Sequence, residues 1–229
     1  MSLPLPPRPP AAAPGPGSRP AVNQAAWQEA HARLQDLRAR ADAAFAEVAG
    51  QFPREVACRP GCDDCCHALF DLTPVEALDL ARAYARLPRE ERRAAARRGS
   101  KASRAYDRVV AEALAAPPAE RLTVFSRARV TCPLLTAGRC LLYASRPLTC
   151  RLYGIPVAVE GHSRTCGRAG FAQGQVYPSV DFGRINALLE EASRLALEAV
   201  PELPRSRLDL GRVLAWADNH TLTLKGDLP

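Results

Sequence analysis

Apolar positions return at helical spacing in four long stretches of this 229-residue chain. Over 21–48, Trp27, Leu34, Leu37, Ala41, Ala44, Phe45 and Val48 recur mostly every three or four residues. This predicts one amphipathic helix near 21–49, closed by Gly50 and Pro53. A second helix, 73–86, opens on Thr73-Pro74-Val75-Glu76. Thr73 offers a capping hydroxyl, Pro74 suits the first helical position and Glu76 completes a capping box. A third covers 89–115, with a weak point at Gly99-Ser100 and a stop at Pro117-Pro118. The broadest stripe, Phe182, Ile185, Leu188, Leu189, Ala192, Leu195 and Ala196, marks a helix over 181–199. A short helix over 209–217, packing Val213, Leu214 and Trp216, follows. Residues 122–178 show no such period and are broken by Gly and Pro, so they read as irregular. No strand pattern exceeds a few residues. The expected fold is mainly α: a helical scaffold carrying irregular, cysteine-rich loops.

Composition sharpens this picture at the ends and in the core. Residues 1–20 contain eight prolines and little apolar surface, the signature of an extended, disordered tail. The domain expected is then a single one over 21–217, with a C-terminal tail over 218–229. Apolar residues make up 47% but aromatics only 6%, so the core must be built mostly from Ala, Leu and Val. Such a core leaves room for a metal to contribute to folding, about 10–16 kcal/mol in small zinc modules.

The eight cysteines decide the chemistry. Cys58, Cys62, Cys65 and Cys66 form a dense cluster, and Cys132, Cys140, Cys150 and Cys166 a spaced set. Thiolate is a soft ligand suited to zinc, iron–sulfur clusters and Cu(I). Cys62-Asp63-Asp64-Cys65 is a C-x2-C element, a spacing that lets one tight loop aim two sulfurs at one ion, with Pro60-Gly61 supplying the turn. Adjacent side chains diverge on regular backbone, so Cys65 and Cys66 are expected either to feed two neighbouring four-sulfur sites or to include one non-ligand. In the first case the downstream cysteines complete both sites and bring 58–66 against 132–166.

Cys58-x3-Cys62-x2-Cys65-Cys66, the element Cys132-Pro133-Leu134-Leu135, and the run from Cys140 to Cys150 with its Arg146-Pro147 pair together resemble the YkgJ-like cysteine-cluster family. The resemblance extends from about Ala57 to Cys166. It implies chelation of zinc or iron, often as an iron–sulfur cluster, and no particular reaction. A methylase of flagellin lysines carries a similar cysteine domain, but the similarity is confined to the cysteines.

Other features bound the function. The formal charge is +7, from 31 basic and 24 acidic residues. Two thiolate centres of net charge −2 would lower it to about +3, so basicity is a weak argument for nucleic acid. The stretch Arg89, Arg92, Arg93, Arg97, Arg98, Lys101, Arg104 and Arg108 is interrupted by acids and offers only Tyr106 for stacking, so it reads as a solvated face. No apolar run is long enough to span a membrane, and no secretory leader is visible. A reducing cytoplasm, where cysteine clusters are ligands more often than disulfides, is the compartment expected. His67 is read as a hydrogen-bonding neighbour of the ligands more than as a ligand. Asp63 and Asp64 are read as exposed turn residues, and Arg146 as a cation supporting the thiolates. No P-loop, dinucleotide fingerprint or serine-hydrolase elbow occurs, so no catalytic residue is assigned.

The leading expectation is thus a metal-binding protein holding an iron–sulfur cluster ([4Fe–4S] favoured) or Zn2+ through the eight cysteines, with a redox or accessory role in protein modification. The alternatives are an iron–sulfur enzyme acting directly on a substrate, methylase-like for example, and a zinc-only structural module that binds a protein partner.

Overall fold

The computed structural model of the chain describes residues 22–159 and 161–220. The expected N-terminal tail, and residues 221–229 of the expected C-terminal tail, lie outside them. Among the described residues seven α-helices dominate, and strands are two or three residues long. The fold is mainly α, as the periodicity predicts.

Helix α1 (Gln24–Gln51) begins where the Asn23 side chain accepts a hydrogen bond from Ala26 N at 3.2 Å. Helix α2 (Pro74–Ala85) has the capping box read from sequence, Thr73 with Glu76. Helix α3 (Arg89–Ala115) runs unbroken through Gly99. That glycine is a packing device, because a Cβ there would stand 3.3 Å from Gly211 Cα of the crossing helix. Two short helices, α4 (Arg121–Arg127) and α5 (Leu148–Leu152), fall in the stretch expected to be irregular. Their five to seven residues are too few to show a period. Helix α6 (Phe182–Ala199) is capped by Asp181, which accepts from Arg184 N at 3.0 Å. Helix α7 (Leu210–Asn219) is capped by Asp209 and runs two residues past its expected end at 217.

The strands are local. β1 (Leu135–Thr136) and β2 (Arg139–Cys140) make a tight hairpin with Ala137 and Gly138 both at positive φ. β3 (Val157–Val159) pairs antiparallel with β4 (His162–Arg164) and parallel with β5 (Val180–Asp181).

Helix α2 is the centre of the molecule. One face, with Val75 and Leu78, joins α1, α5 and α6 in a first apolar cluster containing Trp27, Leu34, Leu148, Leu152 and Leu189. The other face, with Leu80 and Tyr84, joins α3, α7 and the β1–β2 hairpin around Leu72, Leu134, Val213 and Leu214. Each buried leucine contributes roughly 1.5–3 kcal/mol, and aliphatic side chains supply most of the core.

Because α2 is enclosed on both sides, its polar residues must find partners inside. Glu76 accepts from Thr73 Oγ1 at 2.9 Å with one oxygen and from Leu148 N at 2.9 Å with the other. It therefore caps its own helix and also the start of α5. Ser193 Oγ of α6 accepts from Val75 N at 3.2 Å. Asp79, fully buried, meets Arg38 Nη2 at 2.8 Å and His31 Nε2 at 3.2 Å, both from α1. These contacts are close but poorly aligned, leaving both carboxylate oxygens and Arg38 Nε without a well-directed hydrogen bond. Arg38 also donates to Ser145 O at 3.2 Å. The carboxylates of α2 thus hold the 145–152 segment from beneath.

Candidate metal centre

All eight cysteines line one open cleft of about 1000 Å³. Most arrive on a backbone device that long-range contacts hold in place. Cys65 and Cys66 sit on a single 3-10 turn, Asp64–His67. Cys132 is stapled beside them by Cys132 N donating to Cys66 O at 2.7 Å, Val130 N to His67 O at 3.0 Å, and the Ala68–Arg129 bridge. Cys140 stands on β2, where Leu141 N donates to Leu134 O at 2.9 Å. Arg98 of α3 ties that hairpin down, donating to Pro133 O at 2.8 Å and Thr136 Oγ1 at 3.1 Å. Cys150 lies on α5, capped by Glu76. Cys166 is brought to the Cys58 arm by Gly170 N donating to Glu55 O at 2.8 Å.

Within the cleft the thiols form a continuous chain of contacts. Cys65 touches Cys150 and Cys66, and Cys66 in turn touches Cys132. Two upstream and two downstream sulfurs therefore meet, with Cys65 and Cys66 in the same group, and Cys140 lies close enough to feel the charge of Cys132 and Cys65. Cys58 touches Cys62 and lies within electrostatic range of Cys166. Among the described residues no three or more His, Cys, Asp or Glu side chains stand as a preformed single-ion cage.

Proton affinities alternate along the chain. Hydrogen bonds donated first by Cys150, then by Cys66, lower Cys65 to about 3, and the charge of Arg146 acts in the same direction. Cys132, accepting from Cys66, is lowered too. Cys66 is raised because it donates to both, and Cys150 because it donates to Cys65 and is buried. Burial pushes Cys58 up to about 11, reinforced by the charges of Cys62 and Cys166. Burial also takes Cys140 to about 11. Metal must displace these protons, so binding and proton release are linked.

The cations at the cleft are held by stacking and by backbone carbonyls. Arg146 lies 3.7 Å from the centre of the Tyr143 ring and donates to Tyr143 O at 3.2 Å. Arg151 donates to Arg146 O at 3.1 Å, to Ala144 O and to Asp42 of α1, pinning the loop before α5.

The two aspartates of the C-x2-C loop behave differently from each other. Asp64, expected on the surface, is only 6% exposed. It pairs with Arg129 and lies 3.5 Å from Arg168 Nε, so one carboxylate joins the arms that carry Cys132 and Cys166. Sequence spacing cannot show this, because both arginines are remote along the chain. Asp63 faces His67 Nε2 at 3.6 Å, and His67 Nδ1 faces Thr131 Oγ1 at 3.4 Å. Both imidazole nitrogens are therefore directed to protein groups.

Gly154 was not singled out by sequence, yet it makes room for a sulfur. A Cβ at this position would stand 2.2 Å from Cys58 Sγ.

The comparisons with known proteins agree with this geometry. Residues 57–167 match the CxxCxxCC family, described as "Putative zinc- or iron-chelating domain". The matched segment contains all eight cysteines. No curated protein and no solved structure matches the chain significantly.

Proposed function

We propose that the eight cysteines chelate iron, as an iron–sulfur centre, and that the protein serves a redox or accessory role through it. The observation that carries this reading is the donor set: eight thiols from two remote segments around one open cleft. All-sulfur ligation suits iron–sulfur clusters. A single zinc ion takes four donors about 2.3 Å from one point, whereas these sulfurs ring a cleft wide enough for a polynuclear group. Arg146 at the rim offsets the negative charge that such a centre carries.

A second reading, zinc, is favoured by the direct contacts along Cys150, Cys65, Cys66 and Cys132. A tetrahedral zinc site would draw these four sulfurs, two from each cysteine segment, around one ion. Anaerobic purification of the full chain, followed by iron, acid-labile sulfide and zinc analysis, separates the two. Iron and sulfide in near-equal amounts, with a visible charge-transfer band, are expected. Zinc without sulfide would replace the first reading with the second, and absence of both metals from protein with intact helical content would remove both.

A further inference from the structure

The short loop between Cys140 and Cys150 carries four consecutive carbonyls that are all claimed by guanidinium groups. Tyr143 O accepts from Arg146 Nε at 3.2 Å, and Ala144 O from Arg151 Nη2. Ser145 O accepts from Arg38 Nη2 at 3.2 Å, and Arg146 O from Arg151 Nε at 3.1 Å. Pro147 O then starts α5 by accepting from Cys150 N at 3.0 Å.

The three cations of this loop are not equivalent. Arg38 is matched by Asp79 at 2.8 Å, and Arg151 by Asp42. Among the described residues Arg146 has no acidic partner; it stacks on the Tyr143 ring. Its charge reaches both Cys65 and Cys140. The loop therefore delivers one uncompensated positive charge to the thiols.

Arg151 fixes where that charge stands. Its side chain is 9% exposed, and its guanidinium spends Nε on Arg146 O, Nη2 on Ala144 O and Nη1 on Asp42 of α1. The peptide that follows Arg146 is thus held from α5 and, through Asp42, from α1. Pro147 narrows the backbone choices of Arg146 further. A planar fork suits this task, because the two carbonyls and the carboxylate approach it along different edges.

We propose that Arg151 is a positioning residue of the metal centre, acting on the thiolates through Arg146 by clamping the peptide from which that cation projects. Its own charge is spent on Asp42. A lysine would keep the charge and could still meet Asp42, but would not hold both carbonyls, so charge and position are separable. The inference rests on the chelation proposed above and holds for iron and zinc alike.

The test uses the full chain, purified anaerobically with the metal it carries. Two quantities are read: metal loss to excess chelator, and the wavelength of the thiolate-to-metal charge-transfer band, with Co2+ substituted where the native ion is zinc. The variants are Arg151→Gln, Arg151→Lys, Arg146→Gln and the double variant Arg146→Gln with Arg151→Gln. The control is Arg33→Gln, which removes an exposed partner of Glu29 on α1 outside the cleft. Circular dichroism verifies folding. Arg151→Gln and Arg146→Gln are each expected to weaken metal retention about 10–100-fold and to shift the band in the same direction. The second substitution should add less than about twofold to the first, since both remove one effect. Arg151→Lys should keep most of the deficit, and the control should behave as wild type. Should Arg151→Gln fail to fold, the same cycle with Arg151→Lys decides. Losses that multiply in the double variant would overturn the proposal. So would a band left unmoved by Arg151→Gln, which reduces the residue to a structural tie, or full rescue by Arg151→Lys, which makes charge alone sufficient. A wild-type chain that binds neither iron, zinc nor Co2+ would overturn this inference together with the chelation; zinc in place of iron would overturn the iron reading alone.

Discussion

Replacing Gly154 by alanine tests whether Cys58 belongs to the metal centre. The added Cβ would stand 2.2 Å from Cys58 Sγ, 3.4 Å from Cys58 Cβ and 3.2 Å from Phe45 Cε2. Ordinary carbon contacts are about 3.5–4.0 Å, so the sulfur must retreat by more than an ångström while the ring gives only a few tenths. The backbone of Gly154 does not lie at positive φ, so alanine brings no conformational strain and the effect is steric. Overpacking of this kind costs about 1–3 kcal/mol. For a domain of this size that is a loss of roughly 2–4 °C in Tm per kcal/mol. If Cys58 is a ligand, metal retention also falls, toward the level of Cys58→Ala. The decisive assay is a double-mutant cycle on Gly154→Ala and Cys58→Ala, reading denaturant stability under reducing, metal-free conditions and metal content after loading. With the sulfur removed the clash is gone, so Gly154→Ala should be nearly neutral in the Cys58→Ala background. Additive stability losses would refute the steric argument. Undiminished metal content in Gly154→Ala, with the clash demonstrated, would exclude Cys58 from the ligand set.

Glu76→Ala strands the amides of Thr73 and Leu148, and at about 1–3 kcal/mol for each buried unsatisfied donor it should unfold more easily and hold metal less tightly through the loss of the α5 cap; Glu76→Gln should recover part of the stability in urea titrations. For Asp79, burial raises the carboxyl's proton affinity but His31 and Arg38 outweigh it, so its folded-state pKa lies below the unfolded value. Its contribution is therefore full above the unfolded carboxylate pKa, about 3.9, and is lost as pH falls through the folded value. Asp79→Asn should flatten that part of the acid limb while costing about 3–5 kcal/mol at neutral pH, because Arg38 is left buried without its charge partner; an unchanged acid limb would count against the assignment. Arg146→Ala should lower metal affinity about 10–100-fold with helical content intact, and Arg146→Lys should restore only part of it. Metal content measured beside Arg97→Ala, which lies away from the cleft, decides that case.

The long helices were legible because their cause is local. Periodic apolar residues, the capping box at Thr73 and Glu76, and the prolines that end α1 and α3 act within a few residues of one another. That the cysteines belong together was legible for a similar reason: four of them fall within nine residues, a density that ordinary core packing does not need. Helices α4 and α5 were not, since one or two turns carry too little period and are stabilised by what they pack against. Only tertiary structure could decide which sulfurs meet. Cys65 and Cys66 share one group because a 3-10 turn brings both toward Cys132 and Cys150. It also turned Asp64 from an apparent surface residue into the tie between two cysteine arms, and gave Glu76 a second hydrogen-bonding role at α5. Gly154 was one glycine among 14 until the fold placed a thiol against it. The division follows from range: capping and periodicity are written in neighbouring residues, whereas steric room, buried charge pairing and sulfur–sulfur contact depend on chain segments that meet only after folding.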